Sequence, residues 1–174
     1  MFVHLRLHTE YSVVDGIVRV DDAVARAAAD QQPALAISDL GNLFGAIKFY
    51  KAARGQGVKP IVGAEVFLES PDGEGDPPSR VLLLVHNHQG YLNLSELLAR
   101  AWTQGVVKNV ATVRWAWLKE LSGGLILLSG AQAGPIGQAL LQGNQELAAD
   151  LALRLAEVFP HRLYIELQRA GRAE

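Results

Sequence analysis

Phe2-Val3-His4-Leu5-Arg6-Leu7-His8-Thr9-Glu10-Tyr11-Ser12-Val13-Val14-Asp15-Gly16 opens on a short apolar run and then breaks into polar, metal-binding side chains. Two later stretches echo it. Ser38-Asp39-Leu40-Gly41-Asn42 follows the run Ala34 to Ile37, and Glu65 closes Ile61-Val62-Gly63-Ala64-Glu65. Each β-type run carries its polar residues at or just beyond its end. In a βα protein such ends converge on one mouth, where chemistry is usually done. His4, His8, Asp15, Asp39 and Glu65 are nitrogen and oxygen donors of the kind Zn²⁺, Mn²⁺ or Fe²⁺ accept.

Each donor also has a plain structural reading. A lone histidine at a strand end is more often a hydrogen-bonded structural residue than a ligand. Asp15-Gly16 is a common turn pair, and Asp39 can brace the turn after its strand. Glu65 is harder to set aside, because an acid on a buried strand needs a metal, an Arg or a Lys as partner. Ser12 reads as a turn residue rather than a nucleophile, and Glu10, Glu69 and Glu74 read as solvated charges. Trp102, Trp115 and Trp117 read as core or subunit-contact residues.

The rest of the 174 residues fits one domain with a sizeable core. At 49% hydrophobic the chain is too apolar for disorder, and a net charge of −2 leaves no basic footprint for nucleic acid. Cysteine is absent, which excludes disulfides and a thiol nucleophile. No run approaches the ~20 apolar residues of a membrane span, and no signal peptide precedes the first strand. A cytoplasmic location is the expectation. The periodicity predicts strands over 2–5, 34–37, 61–68, 81–85, 124–128 and 161–167. Helices are expected from Asp21 to about Asp30, from Asn42 to Gly55, across Leu94 to Trp102, over Trp115 to Leu121, over Pro135 to Leu141, and after a cap at Asn144. Residues 70–78 read as a surface loop and 105–113 as irregular. Alternating strands and helices argue a parallel α/β fold, and six strands without a final helix an unfinished barrel.

The segments FVHLRLHTEYSVVDG, PALAISDLGNLFGAIKFYKAARGQGVKPIVGAE, NHQGYLNL, GGLILLSG and LYIELQRAGR, in this order, resemble the polymerase-and-histidinol-phosphatase (PHP) domain that begins bacterial DNA polymerase III alpha subunits. The resemblance implies an incomplete, distorted (β/α)7 TIM-like barrel of the PHP type. Residues 1–174 would form a single PHP domain cut before its C-terminal strands, with the polymerase domains outside it. It implies a parent DNA-directed DNA polymerase that uses Mg²⁺ and whose other domains bind DNA and a sliding clamp. The PHP domain itself would dock the proofreading exonuclease (epsilon) subunit.

Set against metal-binding members of the family, four ligand positions are kept: His8, Asp15, Asp39 and Glu65. Four are lost, at Arg6, Leu40, Arg80 and Ala131. The family's final Asp-x-His motif would fall after residue 174. Leucine and alanine offer no lone pair, and arginine stays protonated with no acceptor. A guanidinium ~4 Å from a dication costs on the order of 8 kcal/mol at an effective dielectric near 20. The expectation is therefore a domain with no metal, no cofactor and no catalytic residue. Arg6 and Arg80 would stand in for cations beside Asp15, Asp39 or Glu65. The competing expectation is an active metal-dependent PHP phosphoesterase, a 3′→5′ exonuclease or pyrophosphatase.

Overall fold

The computed structural model describes residues 2–70 and 77–168. Helix α1 (Val20–Ala29) leads to strand β1 (Ala34–Ile37), α2 (Ala46–Gly55) and the long strand β2 (Lys59–Leu68). Strand β3 (Ser79–Val85) and helix α3 (His88–Gln104) follow, then the short pair β4 (Val106–Val107) and β5 (Val110–Val113). The chain continues through α4 (Trp115–Leu121), β6 (Leu125–Leu128), α5 (Pro135–Leu141), α6 (Gln145–Val158) and β7 (Leu163–Tyr164).

The sheet runs β4-β5-β2-β3-β6-β7, with β1 also paired to β2. It is mixed, which corrects the parallel expectation. β3 lies antiparallel to both β2 and β6, whereas β1 and β5 run parallel to β2 and β7 runs parallel to β6. The reason is chain length. Only residues 69–78 link β2 to β3, fewer than the dozen or so that a parallel crossover needs. The loop expected there falls largely on 71–76, outside the described residues.

Other expectations shift in detail. The first strand is not a regular one. His4 makes a single parallel bridge to Leu35, and the segment is tied to the end of β1 by Ser38 N–H donating to the Leu7 carbonyl at 2.9 Å. The stretch 105–113 is not irregular but a hairpin. Its turn residues Lys108 and Asn109 both take positive φ (49° and 65°), the geometry of a two-residue primed turn. The last strand shrinks to Leu163–Tyr164. Helix α2 starts at Ala46, later than a cap at Asn42 implied. It buries Ala46, Phe49 and Ala53 and leaves Ile47 and Tyr50 exposed. Asn144 caps α6 as expected, accepting from Leu147 N–H, and Asn87, not an expected cap, caps α3 by accepting from Gly90 N–H.

Alternation along β2 and β3 separates two faces. Ala64, Val66, Leu68, Val81 and Leu83 pack with Leu94, Leu97 and Phe159 beneath the helices. Glu65, Arg80, Leu82 and Leu84 belong to the other register. There Leu82 and Leu84 join Ala36 and Leu128 in a smaller cluster. A third cluster, of Val20, Val24, Leu35, Ile37 and Phe49, seats α1 and α2 on β1.

Candidate functional site

Because β1, β2, β6 and β7 share one direction and β3 is reversed, the end of β1, the start of β3 and the exit of β7 lie at one rim. This explains how Arg80, at the beginning of its strand, comes to face Glu65. The N-terminal segment closes over the same rim. Its turn is tight: Ser12 N–H and Gly16 N–H donate back to the Thr9 and Ser12 carbonyls at 2.8 and 2.7 Å. A Cβ on Gly16 would stand 1.8 Å from the Thr9 carbonyl oxygen, so only glycine closes this loop. Gly45 plays the matching part on α2, since a Cβ there would press on Tyr11 at 2.8 Å and on an Asp39 carboxylate oxygen at 3.2 Å.

Glu65 lies at the centre and is 2% exposed. Arg6 bridges it to Glu166. One guanidinium nitrogen, Nη1, donates to Glu65 Oε1, while Nε and Nη2 form a fork on the Glu166 carboxylate at 3.0 and 2.8 Å. Such bidentate arginine–carboxylate pairing is among the stronger polar contacts a protein makes. Glu166 is itself held by its backbone N–H donating to Ser129 Oγ at 2.9 Å. The second Glu65 oxygen lies 2.8 Å from His8 Nε2, and His8 Nδ1 lies 2.9 Å from Asp15 Oδ1. Asp15 also accepts from Ser12 Oγ at 2.7 Å and pairs with Arg80 Nη1 at 3.4 Å. Arg80 stays 3.9 Å from Glu65 and rests on the Phe67 ring.

Asp39 is separate from the arginines. Both its oxygens are taken by Thr9, from the backbone N–H at 2.6 Å and the hydroxyl at 2.8 Å. His4 does not reach the cluster; it is exposed, with its ring edge-on to Phe2. Leu40 lends only its backbone, donating N–H to Ser12 Oγ at 3.0 Å. Ala131 begins a short turn after β6 and brings no polar side chain.

The protonation balance follows from these contacts. Burial pushes the Glu65 carboxyl up, but His8 and Arg6 together hold it below its ordinary value. The contact with Glu65 raises His8 against its own burial. Asp15, pushed up by desolvation, ends below its usual value through Ser12, His8 and Arg80. Asp39 is raised by burial, since Thr9 supplies hydrogen bonds but no charge. His8 Nδ1 and both oxygens of Glu65, Asp15 and Asp39 thus face groups within the protein, whereas buried His8 Nε2 lies against Glu65 without a hydrogen bond of good geometry. The donors do not fit a multi-metal centre as they stand. Among the described residues no group of three or more His, Cys, Asp or Glu side chains is arranged to hold an ion.

Reading the sequence missed Glu166 and Thr9, and Glu69 is not simply solvated. The last accepts from Trp115 N–H at 2.7 Å and so caps α4. Glu166 carried the same signal as Glu65, an acid at the end of an alternating run. Thr9 carried none, since its role depends on how the turn folds back.

The PHP domain profile matches residues 4–170, and the chain belongs to the PHP domain family. Its sequence is similar to DNA polymerase III subunit alpha. It is 47% identical to that protein of Pseudomonas aeruginosa over 171 residues, and 43% identical to that of Escherichia coli K12 over 173. These alignments take in 98% and 99% of this chain but 14% and 15% of the relatives' length. A crystal structure of a candidate metal-dependent phosphoesterase from Bifidobacterium adolescentis shares the fold. Its TM-score is 0.53 at 11% identity, covering 94% of this chain and 84% of that one.

Proposed function

We propose that the chain is the PHP domain of a cytoplasmic DNA polymerase III alpha subunit, serving there as a catalytically inactive, metal-free scaffold that docks the proofreading exonuclease (epsilon) subunit. The longer protein would be the Mg²⁺-dependent DNA polymerase, and its remaining domains would bind DNA and the sliding clamp. Among the described residues no helix is long and apolar enough to cross a membrane.

The observation that carries the inactive reading is the Arg6 guanidinium set between Glu65 and Glu166. It supplies the positive charge that a buried carboxylate requires. The same charge repels any dication brought to that carboxylate. Arg6 also supports the barrel reading. The N-terminal segment lies beside β1, and Glu166 lies beyond β7 at the far side of the sheet path. One side chain spanning both is what a sheet curled toward closure would give.

A metal-dependent phosphoesterase is the second reading. The convergence of His8, Asp15 and Glu65 within contact of one another favours it. Exonuclease and pyrophosphatase assays of the full-length polymerase subunit in added Zn²⁺ or Mn²⁺ separate the two. The scaffold reading expects no hydrolysis attributable to this domain, with retention of the exonuclease subunit in a pull-down. Hydrolysis that disappears with Asp15→Asn would replace it with the second reading.

A further inference from the structure

The cluster around Glu65 leaves Trp102 and the outer face of α2 without a role. Trp102, 56% exposed, borders an open groove of about 290 Å³ between α3 and the turn that joins β1 to α2. Buried Leu98 and half-buried Leu43 lie at its base, and exposed Phe44 and Tyr91 complete its aromatic border. Apart from the Tyr91 hydroxyl, the polar side chains around it are already engaged. Trp102 Nε1 donates to the Gly41 carbonyl at 2.7 Å and Ser95 Oγ to the Tyr91 carbonyl at 2.8 Å. The Asn42 amide nitrogen donates to the Tyr11 and Leu40 carbonyls, and its oxygen accepts from Phe44 N–H. An occupant is therefore selected by apolar shape.

Phe44 is 73% exposed and Ile47 64%, so the groove continues into an apolar stripe on α2. Clustered exposed aromatic and aliphatic surface of this kind marks interaction sites. The charge that α2 itself brings beside it has one sign. Helix α2 carries Lys48, Lys51 and Arg54 and no acid. Lys48 is occupied by Glu10 at 2.8 Å and Asp21 at 3.4 Å. Lys51 and Arg54 are exposed and make no ion pair among the described residues. Spaced four and seven residues after Ile47, they extend its stripe, Arg54 standing about 10 Å from it along the helix axis.

We propose that this groove receives an acidic amphipathic segment of a separate subunit. An apolar side chain would enter between Phe44, Tyr91 and Trp102, with carboxylates meeting Lys51 and Arg54. The inference rests on the docking reading above and adds the surface and the chemistry of the segment it takes.

The test measures the affinity of purified proofreading exonuclease subunit for the full-length polymerase subunit at low and high salt. Phe44→Ala is expected to weaken binding about tenfold or more. The pair Lys51→Glu and Arg54→Glu is expected to weaken it and to flatten its salt dependence. Wild-type affinity in both variants would overturn the groove while leaving the docking reading intact. Failure of the wild-type protein to bind would overturn the docking reading and this inference with it. A photo-crosslinking residue at position 44 gives a second readout that does not depend on a truncated side chain. Capture of the exonuclease subunit supports the groove. Capture of the polymerase subunit's own further domains, or of a second copy, overturns it.

Discussion

The two faces of β2 and β3 are one residue apart in register and opposite in chemistry. On one, Val66, Leu68, Val81 and Leu83 are buried against α3 and Phe159, and shape alone satisfies them. On the other, Glu65 and Arg80 stand beside Leu82 and are satisfied only by other charges. The comparison teaches that one strand pair can carry a conventional core and a charge-balanced pocket, and that the two should fail under different stresses.

Removing bulk from the apolar face should have the largest effect. Leu83→Ala is expected to cost about 4 kcal/mol in urea unfolding, within the range for a fully buried leucine, and by the same amount at any pH from 5 to 8. Arg6→Ala should come next, at about 3 kcal/mol, because it removes the guanidinium that pairs with both Glu65 and Glu166. The double variant Arg6→Met with Glu65→Gln should recover part of that loss, since the more buried of the two carboxylates served by Arg6 no longer carries a charge, while that of Glu166 does. A loss in the double variant equal to the sum of the losses in Arg6→Met and Glu65→Gln alone would show that the pair is not coupled.

Acid should strike the charged face alone. Glu65 and Asp15 are held below their ordinary values of 4.5 and 3.8. Their stabilisation is complete above those values and is lost as pH falls through the lower values of the folded state. His8 is raised above 6.5, so its contribution is complete below that point and is lost as pH rises through the folded value. Asp39, raised by burial, acts in the opposite sense to Glu65 and favours the folded state as it protonates. Urea midpoints across pH should therefore peak between the carboxyl and imidazole ranges. Glu65→Gln should flatten both limbs, and Leu83→Ala should flatten neither.

Smaller effects should grade with burial. Ser12→Ala removes a fully buried hydroxyl that donates to Asp15 and accepts from Leu40 N–H, and is expected to cost about 1–2 kcal/mol. Arg80→Ala should cost about 0.5 kcal/mol, because its pair with Asp15 is long and roughly a third exposed on each side. Thermal or urea melts of the two variants, run side by side, check the order.

The apolar face was the more legible of the two. Val81 to Val85 reads as a strand buried on both sides, and the 94-97-98-101 stripe of α3 is buried as its spacing implies. Trp102, at the end of that helix, is instead 56% exposed and donates its indole N–H to the Gly41 carbonyl. The charged face was legible in composition but not in pairing. Glu65 needed a partner, and the sequence could not choose between Arg6, Arg80 and a metal. That choice depends on β3 running backwards, which brings the start of the strand to the rim, and on a turn that gives Asp39 to Thr9. The first follows from the short link between β2 and β3, and the second is a long-range fact with no local signature.

The central claim is that guanidinium charge stands where a metal-binding relative would hold cations. The most direct measurement is elemental analysis of the full-length polymerase subunit, incubated with Zn²⁺ or Mn²⁺, desalted, and compared with an otherwise identical Asp15→Asn protein. The account predicts the same metal content in both, with nothing assignable to this pocket. Stoichiometric metal in the wild-type protein that is lost in Asp15→Asn would contradict it.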